Sequence, residues 1–267
     1  MSEIFNINRF WKYFVHDLKS AKSNYWLSLI VCGLTPLVGY IIYEIPMLLF
    51  QHHFGEYQTA VKVTLVFFAF FIVLISFPAK AYGSLTDKKA GSNWILLPAS
   101  TLEKYISMIL ITCIAVPAAL AAVVFASDFI FSLVLPRYGH FILSGSGLSS
   151  AVPDLADASV FINVYALLFL NWVCNSLAFT LGAVCFKKAK IVKTYIAGCI
   201  IGIICFIIVA VVLAIFTHGF DETLMYNINI DEESAIRLIK FILYSFITIW
   251  ILAVGSALYL RVKTIKH

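Results

Sequence analysis

The sequence predicts an all-α integral membrane protein with six transmembrane helices and an N-terminal amphipathic interfacial helix. Of its 267 residues, 62% are hydrophobic and only 12% are charged, about half the charge of an ordinary soluble domain. Several apolar runs reach the roughly 20 residues needed to cross a bilayer. Lys and Arg are also concentrated in every second connection between these runs. A water-soluble fold is nearly excluded, because 19 basic and 14 acidic residues are too few to cover its surface.

The first 24 residues predict an amphipathic helix that precedes the membrane domain. Their apolar residues recur at helical spacing: Ile7, Phe10, Trp11, Phe14 and Leu18. Basic and polar residues fall elsewhere on the helical wheel: Arg9, Lys12, His16 and Lys19. We expect such a helix to lie flat on the cytoplasmic face, with its aromatic side chains at the headgroup boundary. It serves either as an anchor or as an elbow that braces a partner subunit.

Residues 25–267 form one transmembrane domain with six predicted spans. These are residues 26–50, 60–77, 105–135, 160–186, 195–217 and 239–260. At 1.5 Å per residue the third span would extend about 46 Å, which exceeds the roughly 30 Å hydrocarbon core of a bilayer. This span must therefore tilt, bend near Pro117, or carry its Asp128 end into the outer headgroups.

The distribution of basic residues predicts the orientation of the spans. Fifteen of the 19 Lys and Arg residues fall on the side that holds both termini, and four fall on the other side. Because cytoplasmic loops of membrane proteins carry the excess of basic residues, we expect both termini in the cytoplasm. The formal net charge of +5 thus reflects orientation and does not indicate nucleic-acid binding.

The longest cytoplasmic connection is predicted over residues 80–104. Ser100 is a good helix N-cap, and Glu103 three residues later completes a capping box, so a helix is expected to begin at Thr101. Residues 94–97 are apolar and would not be left in water. They either enter the membrane interface or pack on another protein.

Two outer loops are predicted. Residues 136–159 are polar and rich in Gly and Ser, which is typical of a flexible loop. Residues 218–237 combine acidic and apolar residues, which is consistent with a short helix or a re-entrant turn before the last span.

Three asparagines lie on one predicted face of the fourth span: Asn163, Asn171 and Asn175. Carboxamides in hydrocarbon require hydrogen-bond partners. They indicate either hydrogen bonds between helices or the lining of a polar pathway.

Several kinds of chemistry are disfavoured by the sequence. It contains no nucleotide-binding P-loop, and its histidines lie outside the six spans. Glu232, Glu233 and Arg237 match the E-E-x-x-x-R signature of CAAX-protease-like membrane enzymes, but the later histidines of that family are missing. The six cysteines lack paired spacing and are interpreted as apolar packing residues. No metal site and no catalytic residue are predicted.

The layout resembles that of the permease subunits of type-two ABC exporters, especially the small stand-alone permeases of Bacteroidetes. The shared features are the N-terminal elbow, six spans, a cytoplasmic coupling loop and a short outer element before the last span. Locally, Leu97-Pro98-Ala99-Ser100 with Glu103-Lys104 is similar to the L-P-x-S-x-x-E-[KR] stretch at the inner start of the third span in that family. The 136–159 loop is longer than is usual there.

This resemblance implies a permease subunit that is not itself an enzyme and binds no cofactor. A separate ABC ATPase would bind ATP and Mg²⁺ and drive export across the bacterial cytoplasmic membrane. The other expected partners are a second copy or a related permease, and membrane lipid. In the coupling loop, the apolar contact with the ATPase would be made by Trp94, Leu96 and Leu97, next to Pro98 and Ser100. Four charged residues would surround that contact: Lys88, Lys89, Glu103 and Lys104.

Two other functions stay open at this point. The chain is alternatively a multispan membrane protein for interaction or assembly, with no transport cycle. A weaker alternative is an intramembrane enzyme.

Overall fold

A computed structural model describes most of the chain. The described residues are 5–50, 59–86, 91, 94, 96–135, 138, 139, 141, 142, 164–219 and 232–265. Most of the two predicted outer loops, together with Lys88, Lys89 and Asn163, lies outside these residues.

The described part of the chain is built from helices and contains no strand. In chain order the helices are α1 (Ile7–Gly33), α2 (Thr35–Phe50), α3 (Thr59–Ala81), α4 (Thr101–Leu110), α5 (Val116–Val134), α6 (Val164–Cys185), α7 (Lys190–Gly219) and α8 (Glu232–Thr264). A 3₁₀ turn at Gly83–Thr86 follows α3, and a π-helical segment at Ile111–Ala115 joins α4 to α5.

Five stretches of the described chain are long and apolar enough to cross a membrane. They are Ile7–Pro46, Val61–Thr86, Thr101–Val134, Leu168–Cys185 and Leu243–Thr264. The protein is therefore a multi-pass membrane protein. Helix α7 covers the fifth predicted span, residues 195–217, and the count of six spans stays a prediction.

The N-terminal segment is not a separate helix. Asn6 caps α1 through its side chain, which accepts hydrogen bonds from the backbone N–H groups of Asn8 and Arg9. From there α1 continues to Gly33, past the boundary at residue 24 that was expected between the elbow and the first span, because no Gly or Pro interrupts it. The interfacial position of its first turns stays a prediction.

Helices α1 and α5 come very close where α1 ends. A Cβ atom added at Gly33 would lie 2.3 Å from Cγ1 of Val123, so only glycine allows this approach. The Ser127 hydroxyl, also on α5, donates a 2.9 Å hydrogen bond to the Gly33 carbonyl. The end of α1 is thus anchored to the far half of the third predicted span.

The third predicted span contains a local change of helix type. The π-helical segment ends two residues before Pro117, near the position where the sequence predicts a bend. Proline lacks the N–H group that would bond the carbonyl four residues earlier, and its ring crowds that carbonyl. A wider turn over Ile111–Ala115 relieves both problems. Within this turn, the Thr112 hydroxyl donates to the Met108 carbonyl at 2.8 Å.

The packed core lies among α1, α3, the α4–α5 stretch, α6 and α8. Its most deeply buried apolar residues are Val73, Ile111, Leu120, Val124, Val184 and Leu258. Large apolar side chains on the outward faces of the helices remain exposed, as expected for a protein surrounded by lipid.

Candidate functional site: two buried polar clusters

The predicted capping box is confirmed at the start of α4. The Glu103 backbone N–H donates to Ser100 Oγ at 3.2 Å, and the Ser100 N–H donates to Glu103 Oε2 at 2.9 Å. This reciprocal pair satisfies two backbone donors that the first turn of a helix otherwise leaves open. It also positions the Glu103 carboxylate at the N-terminus of α4.

The same carboxylate binds the N-terminus of α1. Glu103 Oε1 accepts the backbone N–H of Asn6 at 2.9 Å. Arg9 forms a bidentate pair with Glu103, through Nε to Oε2 at 2.8 Å and Nη2 to Oε1 at 2.7 Å. The Glu103 side chain is completely buried, whereas the Arg9 side chain is 30% exposed. The Glu103 carboxylate therefore accepts hydrogen bonds from the N-termini of two helices and from one guanidinium.

Trp94 forms a second connection to α1. Its indole Nε1 donates to the hydroxyl of buried Tyr13 at 3.0 Å. From α4, buried Lys104 donates through Nζ to the Trp94 carbonyl at 2.8 Å, and this ammonium lies 4.6 Å from the Trp94 ring centroid. Trp94 is thus held between α1 and α4 by polar groups on both sides.

Asp17 forms a third connection, two turns further along α1 from Arg9. Its Oδ2 accepts hydrogen bonds from the Ser107 hydroxyl at 2.8 Å and the Tyr82 hydroxyl at 3.3 Å. Asn6, Arg9, Tyr13 and Asp17 follow one another at spacings of three or four residues, so they lie along one face of α1.

We call this set the Glu103 network. Its members are Asn6, Arg9, Tyr13, Asp17, Tyr82, Trp94, Ser100, Glu103, Lys104 and Ser107. The 3₁₀ turn next to it is also held from another helix, since Lys190 at the start of α7 donates to the Gly83 carbonyl and to Thr86 Oγ1.

The predicted coupling residues divide into exposed and enclosed ones. Leu96 is 75% exposed, and Pro98 is also exposed. Trp94, Leu97 and Ser100 are partly buried. Lys88 and Lys89 lie outside the described residues.

Two of the predicted coupling residues require a correction. Glu103 and Lys104 are buried, so they do not surround a docking surface as exposed charges. The physical reason is that both are used internally. Glu103 stabilises two helix starts, and Lys104 binds the Trp94 carbonyl and ring.

A second cluster was missed by the sequence analysis. Lys62 on α3 and Asp128 on α5 are both completely buried, with Lys62 Nζ 3.7 Å from Asp128 Oδ1. The same ammonium lies 3.7 Å from the ring centroid of Tyr138, and Asp128 Oδ2 accepts the Ile142 N–H at 2.8 Å. We call Lys62, Asp128, Tyr138 and Ile142 the Asp128 cluster. The Asp128 carboxylate points inward to Lys62 and is completely buried in the protein, and the expected depth of this residue near the headgroups stays a prediction.

A signal for the Asp128 cluster was present in the sequence. Lys62 lies inside one predicted span, residues 60–77, and Asp128 lies inside another, residues 105–135. Opposite charges within two apolar runs are expected to pair, because an isolated charge is unfavourable in hydrocarbon.

The fourth predicted span carries its asparagines on an open face. Asn171 and Asn175 of α6 are both exposed, and Asn163 lies outside the described residues. Asn175 Nδ2 donates to Asn171 within the same helix, to the backbone carbonyl at 2.8 Å and to Oδ1 at 2.7 Å. In the part of the chain that the structure describes, no group of three or more His, Cys, Asp or Glu residues is arranged to hold a metal ion.

No family model, curated protein or solved structure matches this chain. The two clusters and the exposed groups around them are therefore the basis for a proposal about function.

Proposed function

We propose that the protein is the transmembrane permease subunit of an ATP-driven ABC exporter, powered by a separate ATPase. In this proposal the chain crosses the bacterial cytoplasmic membrane six times, has both termini in the cytoplasm, and works with a second copy or a related permease. ATP and Mg²⁺ are bound by the ATPase.

The observation that carries the proposal is the Glu103 network. A connection that transmits force into a membrane domain must move together with the helices it drives. Here the short segment around residues 94–104 is attached to α1 through Glu103 and Trp94 and leads directly into α4, where Ser107 makes a third connection to α1. Displacement of this segment would therefore displace the start of the first and third spans together.

The exposed part of the same segment offers a contact for the ATPase. Leu96 projects from it with 75% of its surface exposed, next to exposed Pro98. Leu96 and Pro98 together present a small apolar surface that a partner protein can cover. Because Trp94 is used internally, Leu96 is the apolar side chain whose replacement tests docking without disturbing the network.

The test is copurification of an ABC ATPase with tagged protein from native membranes, using mass spectrometry and ATP hydrolysis as readouts. We expect wild type to retain the ATPase and Leu96→Ser to retain about tenfold less, the equivalent of burying part of one leucine. The matched control is Leu260→Ser on α8. Leu260 is 58% exposed, and its neighbour Tyr259 contacts Tyr105 of α4 with ring centroids 5.5 Å apart.

Two outcomes would contradict different parts of the proposal. If wild type recovers no ABC ATPase, the permease function is wrong and the interaction or assembly function replaces it. If Leu96→Ser retains as much ATPase as wild type and Leu260→Ser, the permease function stands but the docking contact lies elsewhere.

A further inference from the structure

The outer surface of α6 carries two polar side chains whose hydrogen bonds are incomplete. Asn171 and Asn175 are exposed one turn apart within the apolar stretch Leu168–Cys185. Asn175 Nδ2 donates within the helix. In the part of the chain that the structure describes, no partner is recorded for Asn171 Nδ2 or for Asn175 Oδ1. The face therefore presents both a donor and an acceptor.

The described neighbours of α6 do not cover this face. Helix α6 packs on α3, α7, α8, the π-helical segment and the 3₁₀ turn. It approaches α7 very closely at Gly182, where an added Cβ would lie 1.8 Å from Thr194 Oγ1. Further along α7, Gly198 and Gly202 have no neighbouring atom within 4 Å of an added Cβ. The two helices are thus tightly packed at one point, and the asparagines remain open.

Lipid does not complete these hydrogen bonds, because acyl chains have neither donors nor acceptors. Carboxamides in a membrane are satisfied instead by polar groups of another helix. Among the described residues no other helix of this chain supplies these groups, so a helix of another chain is a suitable partner.

We propose that the Asn171–Asn175 face of α6 is the contact with a second copy of this chain. A carboxamide is self-complementary, since it has both a donor and an acceptor. In a two-fold pair with its axis along the membrane normal, each asparagine meets the same residue of the second copy at the same depth. This assignment builds on the proposed function, which includes a second permease but does not assign it a contact face.

The direct test is photo-cross-linking in native membranes. A photoreactive amino acid is placed at position 171, 175 or 169 of the full-length chain. Phe169 is the matched control, because it is 57% exposed at the same depth on nearly the opposite face of α6. We expect a cross-linked homodimer from positions 171 and 175 and none from 169. Cross-links to lipid alone, to the ATPase, or equally from all three positions overturn the proposal.

A second measurement uses substitutions that preserve the helix. We expect Asn171→Leu combined with Asn175→Leu to weaken self-association in lipid nanodiscs about tenfold. The control is Thr248→Val on α8. Thr248 is exposed, but its hydroxyl donates within its own helix to Tyr244 and Ser245, so self-association should not change. Equal effects of the double variant and the control contradict the assignment.

The two proposals fail in distinguishable ways. Recovery of an ABC ATPase by a wild-type protein that forms no cross-link at 171 or 175 disproves the α6 contact and leaves the permease function intact. A cross-link at these positions without any ATPase disproves the permease function and leaves the α6 contact intact.

Discussion

The Glu103 network and the Asp128 cluster each stabilise a buried carboxylate, but they do so with different sets of partners. Each places a completely buried carboxylate against a cation, and both carboxylates belong to the helical stretch Thr101–Val134. Glu103 and Asp128 are roughly 37 Å apart along that stretch, at 1.5 Å per residue. This separation exceeds the roughly 30 Å thickness of a bilayer core, and the two clusters lie toward opposite ends of the third predicted span.

The two carboxylates differ in how many groups support them. Glu103 accepts two backbone N–H groups and a bidentate guanidinium, and part of Arg9 remains exposed. Asp128 accepts one backbone N–H and faces a completely buried ammonium at 3.7 Å. Loss of one partner therefore has different consequences: Glu103 keeps other donors, whereas Asp128 would keep a buried charge with no counter-ion. The contrast can be tested by removing one partner at each site.

The largest effect is expected for Lys62→Met. The substitution removes the only cation recorded near Asp128 in the described residues and should destabilise the protein by about 3 to 5 kcal/mol. Thermal unfolding in detergent micelles would measure it. Lys80→Met is the matched control on the same helix α3, because Lys80 is exposed and should contribute little.

A double variant separates the ion pair from simple packing. Lys62→Met with Asp128→Asn removes both charges and keeps an acceptor for the Ile142 N–H, so most of the lost stability should return. Asp128 does not depend on Lys62 as its counter-ion if Lys62→Met destabilises the protein no more than Lys80→Met does. The same conclusion follows if the double variant is less stable than Lys62→Met alone.

A smaller loss is expected for Glu103→Gln. The glutamine side chain keeps one acceptor oxygen but loses the negative charge that faces Arg9. Its new NH₂ group would also point at Arg9 or at the Ser100 N–H, which are themselves hydrogen-bond donors. The expected destabilisation is about 2 to 3 kcal/mol. Ser100→Ala, which removes only the cap to the Glu103 N–H, should lose about 1 kcal/mol in the same unfolding experiment. Equal losses would show that Glu103 acts only as a capping residue and does not join α1 to α4.

Local sequence patterns predicted much of this fold, and the reason is physical. Apolar runs of sufficient length indicate where membrane helices form, and each of the six predicted spans contains a helix in its described part. The capping box of Ser100 and Glu103 was also predictable, because its two hydrogen bonds depend only on residues three apart. The start of α4 at Thr101 is confirmed.

The contacts between elements could not be predicted in the same way. Arg9 and Glu103 are separated by 94 positions in the chain, and their pairing depends on how α1 packs on α4. The amphipathic pattern of α1 predicted a surface helix, yet the face with Arg9, Tyr13 and Asp17 is used for internal hydrogen bonds. Trp94 was expected to face lipid or another protein, and its indole instead contacts Tyr13.

The smallest expected effect tests that Trp94 contact through a double-mutant cycle. Trp94→Phe removes the indole donor but keeps an aromatic ring beside Lys104, and Tyr13→Phe removes the acceptor. Each single variant should lose about 1 kcal/mol, the net value of a partly buried hydrogen bond. The two losses should not add, because both variants break the same bond. We expect a coupling free energy of about 1 kcal/mol from thermal or denaturant unfolding in micelles.

The size of the coupling free energy shows whether the Trp94 indole contacts Tyr13 or instead contacts the membrane interface or another protein, as the sequence predicted. If the indole inserted into the membrane interface or into a partner protein, Tyr13 would not influence the effect of Trp94→Phe, and the losses would add. A positive coupling would show that residue 94 is attached to α1 in the isolated protein. The Glu103 network would then be assembled before any ATPase binds, and the exposed Leu96 would be presented on a connection that is already rigid.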